Sequence, residues 1–582
     1  MNRKQRRSAL KQSPPAENTR ASPAGDPASQ LFAQAQRLQQ QNKLNDAARL
    51  YKRVLLLKPD HAEARNNLGV ILQAQGKLNE ASACFAQSLS LMPQLFEQYS
   101  AVVATLLAVL PPIGEAMRRA TRAWPKRLTV EQLLGGAGFA AICGDPMLLC
   151  MLQSVPARNI DFERLMTSLR LSLLDAASAG EPVAPSVLAF CCAMAEHCFI
   201  NEYIFATTPD EDAKVERLKA ALGDAIKSRT AIAPLLIAAM AAYLPLYALA
   251  DAKALLDQTW PPPIDDVLTQ QLREPLQELQ LRSSILQLTS IEDDTSQRVR
   301  QQYEENPYPR WVKADGGVKS VPLDATLQAK FPAAAFTPLG KTGAVDILVA
   351  GCGTRLGGRV AQSCQGARVL AVDLSLSSLC YAKRKTAVSL AERIEYAQGD
   401  ILKLGATGRN FDVIDASGVL HHMADPIEGW RILLTLLRPG GIMHLGLYSE
   451  LGRGDVVAAR ALIAERGYTP SPADIRRCRQ DLLETPLRSV ARASDFFTTS
   501  ECRDLLFHVQ ESRTTIPAIK TFIDGHALKF IGFDLDEPAA QNFGALFAAN
   551  GWAMTDLDKW HAVETQYPDT FSTMYQFWVQ KS

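Results

Sequence analysis

At 582 residues the chain is longer than one hydrophobic core supports and should divide into three or four domains. Hydrophobic residues at 47%, charged residues at 21% and a net charge of +1 fit an ordinary globular protein and exclude any global attraction to nucleic acid or an anionic membrane surface. Eleven cysteines without a paired framework argue against a disulfide scaffold, so a reducing cytoplasm is the expected location.

Residues 1–27 carry five basic residues before the first acid, and no apolar stretch follows them, so they read as a disordered basic tail and not as a secretory signal. A repeat comes next. Pro59 and Pro93, Ala47 and Ala81, and Tyr51 and Phe85 are each separated by 34 residues, which superposes "NKLNDAARLYKRVL" on "GKLNEASACFAQSL". This period, with alanine, aromatic and proline at these offsets, resembles the tetratricopeptide repeat, a helix–turn–helix unit. Leu68 and Gly69 take the small-residue positions of the second copy. A third copy, about Leu95 to Leu128, keeps Ala116 and Pro125. The resemblance implies repeats over residues 28–128 with a concave surface that binds a peptide or protein partner.

Residues 129–295 read as helices. Ala231–Ala250 has the length of a membrane span, but Pro234 and Pro245 interrupt it, so a buried helical pair is expected there. Cys191, Cys192, His197 and Cys198 fall on one apolar helical run. Metal binding would want ligand pairs converging from separate turns, so these four read as core and no metal is assigned.

From Val345 short β-branched strands alternate with helices, the pattern of a doubly wound parallel sheet. "VDILVAG" is a fully apolar first strand, and "GCGTRLGG" turns into a helix. Gly351 and Gly353 lack side chains, so a ligand is expected to approach the backbone there and meet amides at the helix N-terminus. Leu356 breaks the dinucleotide fingerprint G-x-G-x-x-G. The next strand ends at Asp373, where a carboxylate can accept from both hydroxyls of a ribose. "IEYAQGDILKL" places Asp400 and Ile401 at a third strand end, suited to an adenine amine. "FDVIDASGVLHHMADP" and "LLRPGGIMHLGLYS" supply a fourth strand and loop, then a turn and fifth strand.

In this order and spacing, Val345–Ser449 resembles the class I S-adenosylmethionine-dependent methyltransferases. "LKFIGFDL" and "TMYQFWVQK" match the sixth and seventh strands of that family, the last pair antiparallel. The expected architecture is therefore multidomain, with an all-α, tetratricopeptide-like and helical half followed by an α/β doubly wound, Rossmann-like seven-stranded domain over residues 296–582. The resemblance implies S-adenosyl-L-methionine as cofactor, held by Gly351, Cys352, Gly353, Arg355, Asp373, Leu374, Asp400, Ile401, Ser417 and Gly418. Two residues depart from the family pattern. Val349 stands where an acid often ends the first strand, and Arg355 stands where a third loop glycine would be. A guanidinium at 355 would fork onto the carboxylate of the cofactor.

Catalytic candidates must lie beyond the carboxyl ends of the strands. His421 and His422 follow the fourth strand. The segment "QQYEENPYPRW" precedes the first and offers Tyr303, Tyr308 and Arg310 as lid or acceptor contacts. A long insertion, about 450–527, separates the fifth and sixth strands and is expected to select substrate. Within it His508 and Glu511 are three apart, which predicts one helical face. Two functions compete: a methyltransferase whose repeats recruit a substrate or partner, and a repeat-based scaffold whose methyltransferase domain is degenerate or senses cofactor. The methyl acceptor is not legible in the sequence.

Overall fold

The computed structural model describes residues 26–41, 43–92, 112–312, 320–341, 343–572 and 574–582. The expected basic tail up to residue 25, and the part of the third repeat copy up to residue 111, lie outside them; the rest of that copy includes the helix Ile113–Ala123, in which Ala116 is buried. The chain forms two compact units, Met1–Leu91 and Met92–Ser582.

The first unit holds helices α1 (Pro27–Gln40), α2 (Leu44–Leu57), α3 (Ala62–Ala74) and α4 (Leu78–Leu91). The equivalent pairs Ala47/Ala81 and Tyr51/Phe85 are all buried, on α2 and α4 respectively. Gly69 explains how tightly α3 and α4 close, because a Cβ there would stand 3.0 Å from the Phe85 ring. Pro59 follows the end of α2, where its ring would clash with a continuing helix.

The second unit begins with helices that include Ile160–Ala179, Pro185–Ile200 and Pro209–Ser228. Cys191, Cys192, His197 and Cys198 are all buried in Pro185–Ile200, where burial pushes His197 down to about 4. The buried pair expected over Ala231–Ala250 is instead one helix, Pro234–Ala241, and a 3₁₀ turn, Leu246–Ala248, because Pro245 removes an amide between them. Among the described residues no single helix is long and apolar enough to cross a membrane.

The sheet has nine strands: β1 (Leu286–Gln287), β2 (Val345–Ala350), β3 (Ala367–Asp373), β4 (Ile394–Gln398), β5 (Phe411–Ala416), β6 (Leu437–Ser449), β7 (Arg513–Thr514), β8 (Leu528–Phe533) and β9 (Tyr575–Lys581). Its order is β1-β4-β3-β2-β5-β6-β9-β8, with β7 beside β6. All seven expected strands are present. The additions are β1 and β7, two residues each, too short to carry a periodic signal. β9 lies between β6 and β8 and runs antiparallel to both. Strands β2, β3 and β5 are apolar on both faces. Ile347, Val349, Val369 and Val413 pack on one side, and Leu348, Leu370 and Ile414 on the other with Trp430 and Trp560. From β2 the chain winds outward through β3 and β4, then returns to β5 on the opposite side. A crevice therefore opens at the carboxyl ends of β2 and β5.

The boundary expected at residue 295 falls inside this unit, and β1, which precedes it, already pairs with β4. The helices also grip the insertion after β6. Glu163 forms a buried two-point pair with Arg479, with N···O distances of 3.0 and 2.8 Å. The Glu202 carboxylate accepts from the Ser500 amide at 2.6 Å, at the start of the helix Thr499–Phe507, and its carbonyl accepts from the Thr499 hydroxyl.

Candidate active site

A cavity of about 580 Å³ lies at the crevice between β2 and β5. All ten residues expected to hold the cofactor line it, as do Tyr303, Tyr308, His421 and His422.

The glycine loop is built differently from the expectation. Gly351 (φ +72°) and Gly353 (φ +52°) both need a left-handed backbone, but what presses on them is protein. A Cβ at 351 would stand 2.3 Å from the Val419 side chain, and one at 353 would stand 2.7 Å from the Tyr308 carbonyl. The amides are also engaged. Those of Gly351 and Cys352 donate to the Val372 carbonyl, Gly353 donates to Asp373 Oδ2 at 2.8 Å, and Thr354 donates to the Tyr308 carbonyl. The bare loop thus seats the Tyr308–Trp311 segment instead of presenting free amides. Arg355 occupies the N-cap position of Leu356–Ser363, lines the cavity and sets its guanidinium 5.8 Å from the Trp311 ring centre.

Asp373 accepts from the amides of Gly353 and Ser375, one on each oxygen, which leaves a lone pair on each for a ligand. Burial, opposed by those amides, pushes its carboxyl up to about 6. Asp400 is buried. Its Oδ1 caps the Leu402 amide at 3.0 Å, while its Oδ2 has no partner among the described residues. An orphan acceptor at the cavity wall calls for a donor from a ligand, and an adenine amine is such a donor. Asp415 Oδ1 holds both the amide and the hydroxyl of Ser417, which fixes the loop through Gly418.

The other end is aromatic. Tyr303, Tyr308 and Tyr448 line it with His421 and His422, together with Asp504 from the insertion. Tyr303 donates its hydroxyl hydrogen to Asp504 Oδ1 at 2.6 Å and lies 3.2 Å from His508 Nε2. The backbone of Gln510 settles two tautomers. Its carbonyl accepts from His422 Nδ1 at 3.1 Å, so His422 Nε2 carries a lone pair. Its amide donates to His508 Nδ1 at 3.0 Å, so His508 Nε2 carries the hydrogen and donates to Tyr303. Burial lowers the pKa of His421, His422 and His508, so all three are neutral at pH 7. Burial raises that of Asp504.

His422, Asp504 and His508 have ligand atoms within 4.8 Å of one another, a spacing that would suit a metal ion. Their orientation does not. The two rings stack at 3.7 Å and 18°, so their in-plane lone pairs run side by side, and His508 Nε2 is protonated. Tyr303 instead links His508 to Asp504 by hydrogen bonds, and His422 stands 3.9 Å from Asp504 Oδ1 without bonding to it.

Two expected candidates are placed elsewhere. Arg310 turns away from this cavity, approaches Glu202 at 3.5 Å and packs on Phe199 and Tyr381, lining a separate cavity against the helices. His508 stands behind Tyr303 and does not line the cavity. Nor does it share a helix with Glu511, because the helix ends at Phe507 and Glu511 pairs with Arg453 at 2.6 Å. Sequence reasoning missed Asp504 and Tyr448. The four-residue spacing from Asp504 to His508 was a usable signal for the first, and the position of Tyr448 at the carboxyl end of β6 for the second.

Two family profiles match the chain. One, described as "Methyltransferase domain", matches residues 348–445, and one described as "Tetratricopeptide repeat" matches residues 38–106. The chain joins tetratricopeptide repeats to a methyltransferase domain. S-adenosylmethionine is the cofactor that goes with such a domain. An uncharacterized protein of Synechococcus sp. is 29% identical over 267 residues, covering 43% of this chain and 63% of that protein. A ubiquinone biosynthesis O-methyltransferase of Xanthomonas axonopodis pv. citri is 29% identical over 157 residues, covering 26% of this chain and 61% of that protein. The chain thus spans less than two thirds of the length of these curated relatives. Among solved structures, PKMT2 from Rickettsia typhi aligns with a TM-score of 0.35 at 17% identity, covering 44% of this chain and 52% of that one.

Proposed function

We propose that the methyltransferase unit moves a methyl group from S-adenosylmethionine to an acceptor that gives up a proton to His422. One observation supports this most directly. A single cavity carries strand-tip carboxylates, Asp373 and the half-unpaired Asp400, together with a neutral imidazole whose Nε2 lone pair is free to accept. When bound, the cofactor supplies an activated electrophilic methyl group. The chain's own residues do the rest: Asp373 would accept from the ribose hydroxyls, Asp400 Oδ2 would accept from the adenine amine, and Arg355 would be the group to pair with the cofactor's carboxylate. Tyr303, fixed between Asp504 and His508, orients the acceptor. Residues 28–128 recruit a partner or substrate, residues 129–295 brace the site, and residues 296–582 hold it, with the 450–527 insertion closing its acceptor end. The O-methyltransferase relative supports methyl transfer as the chemistry.

Calorimetric titration with S-adenosylhomocysteine tests this reading, with micromolar binding expected at pH 7.5. Ribose hydroxyls donate to the ionised carboxylate and so lower the Asp373 pKa in the complex from its free value of about 6. Affinity is therefore complete above pH 6 and lost as pH falls below it, by up to about tenfold per unit for one linked proton. Asp373→Asn should bind more weakly and show no such slope. A folded protein that binds nothing at pH 7.5 would leave the scaffold reading in its place.

A further inference from the structure

Resting on the methyltransferase reading, we infer that the acceptor is an amine that enters as its ammonium and leaves methylated. The acceptor end of the cavity is a site for positive charge. Asp504 is 4% exposed, its Oδ1 takes the Tyr303 hydroxyl, and its Oδ2 has no partner among the described residues. The rings of Tyr303 and Tyr308, with centres 6.3 Å apart and inclined at 37°, offer faces to a cation beside it.

Among the described residues, no arginine or lysine stands beside Tyr303, Tyr308 and Asp504 to receive an anion. The cations among the described lining residues are Arg355 and Arg359, and both also border a smaller cavity beside Trp311 and Tyr396. Arg453, stacked 3.8 Å from the centre of the Tyr448 ring, does not line the cavity and is neutralised by Glu511. A hydroxyl or thiol acceptor would have to become an anion next to the buried Asp504 carboxylate, which like-charge repulsion opposes.

For an amine the charges run the other way. The ammonium gives one proton to His422 Nε2. The freed nitrogen lone pair forms a bond to the methyl carbon as the carbon–sulfur bond breaks, its electron pair staying on sulfur. The positive charge thus moves from sulfur to nitrogen, toward Asp504 and the tyrosine faces, and the proton on His422 leaves to solvent. Asp504 holds charge where charge develops.

The test uses sinefungin, which carries a primary ammonium where the methylsulfonium stands, against S-adenosylhomocysteine, which has no charge there. On the full chain sinefungin should bind about tenfold or more tightly than S-adenosylhomocysteine. Asp504→Asn should bring the ratio near one with S-adenosylhomocysteine affinity kept, and Asp504→Glu should restore much of it. A wild-type ratio at or below one overturns the inference whether or not either variant folds, as does a ratio that Asp504→Asn leaves unchanged. Failure of both ligands to bind refutes the methyltransferase reading itself.

Discussion

Glu163→Ala should destabilise the second unit by ~3–5 kcal/mol, the largest effect expected of any single change outside the cavity. Arg479 is fully buried. Glu163 neutralises it with two hydrogen bonds, while the carbonyls of Phe496 and Ile204 take further ones at 2.8 and 3.3 Å. Removing the carboxylate leaves a guanidinium charge in the interior with only neutral acceptors, and the protein must admit water or open the contact to solvate it. Glu163→Gln keeps an acceptor oxygen and should lose less. The urea midpoint of each variant against the parent measures this. A Glu163→Ala cost below about 1 kcal/mol would show that the pair does not hold the insertion to the helices.

The same pair explains why residues 129–295 matter to a site that they line at Asp293 alone among the described residues. Every cavity residue lies between Asp293 and Met574, so a chain starting near Asp293 keeps all the proposed contacts. It would nevertheless lose Glu163 beneath Arg479, and Glu202 both as the partner of Arg310 and as the acceptor for the Ser500 amide. The helix Thr499–Phe507 carries Asp504 and leads into His508, so the helical region positions the acceptor end through that helix's N-terminus.

How legible each feature was in the sequence follows from how local its cause is. The strand tips holding Asp373 and Asp400 are set by alternation of apolar strands with helices, a periodic signal, and both residues lie on the cavity as read. The glycine pair lines the cavity, and the structure adds a demand on it that the spacing does not record. Its need for bare backbone comes from Val419 and the Tyr308 carbonyl, contacts between segments distant in sequence that no spacing records. Arg310 sits two residues from Tyr308, a spacing that in a regular extended chain would put both side chains on one face, yet the two line different cavities, because Arg310 is drawn to Glu202, Phe199 and Tyr381 on the helices. Asp504 is the hardest case. It belongs to an insertion whose helices are amphipathic for burial; its four-residue spacing to His508 marks one helical turn, but the contact that turns it to the site is made by Tyr303, some two hundred residues earlier.

His422→Ala should lower kcat by ~10²–10⁴-fold while leaving the affinity for S-adenosylhomocysteine within about twofold. The imidazole is the group in the cavity whose tautomer places a lone pair toward the acceptor, with Gln510 fixing the hydrogen on the other nitrogen. The pH profile gives an independent check. A base works only when unprotonated, and burial holds His422 below its ordinary value of 6.5. The rate should therefore stay level as pH falls from 8 through 6.5 and drop only below that, where an imidazole of ordinary pKa would already be half protonated. The measurement is transfer of tritiated methyl from S-adenosylmethionine into products of a cell extract, parent against variant, at saturating cofactor. His421, stacked 3.6 Å from the Tyr448 ring, is the internal control. If His421→Ala costs as much as His422→Ala while His422→Ala keeps more than a tenth of the rate, the proton goes elsewhere, and the hydrogen bonds joining Tyr303 to Asp504 and His508 serve to orient the acceptor without accepting its proton.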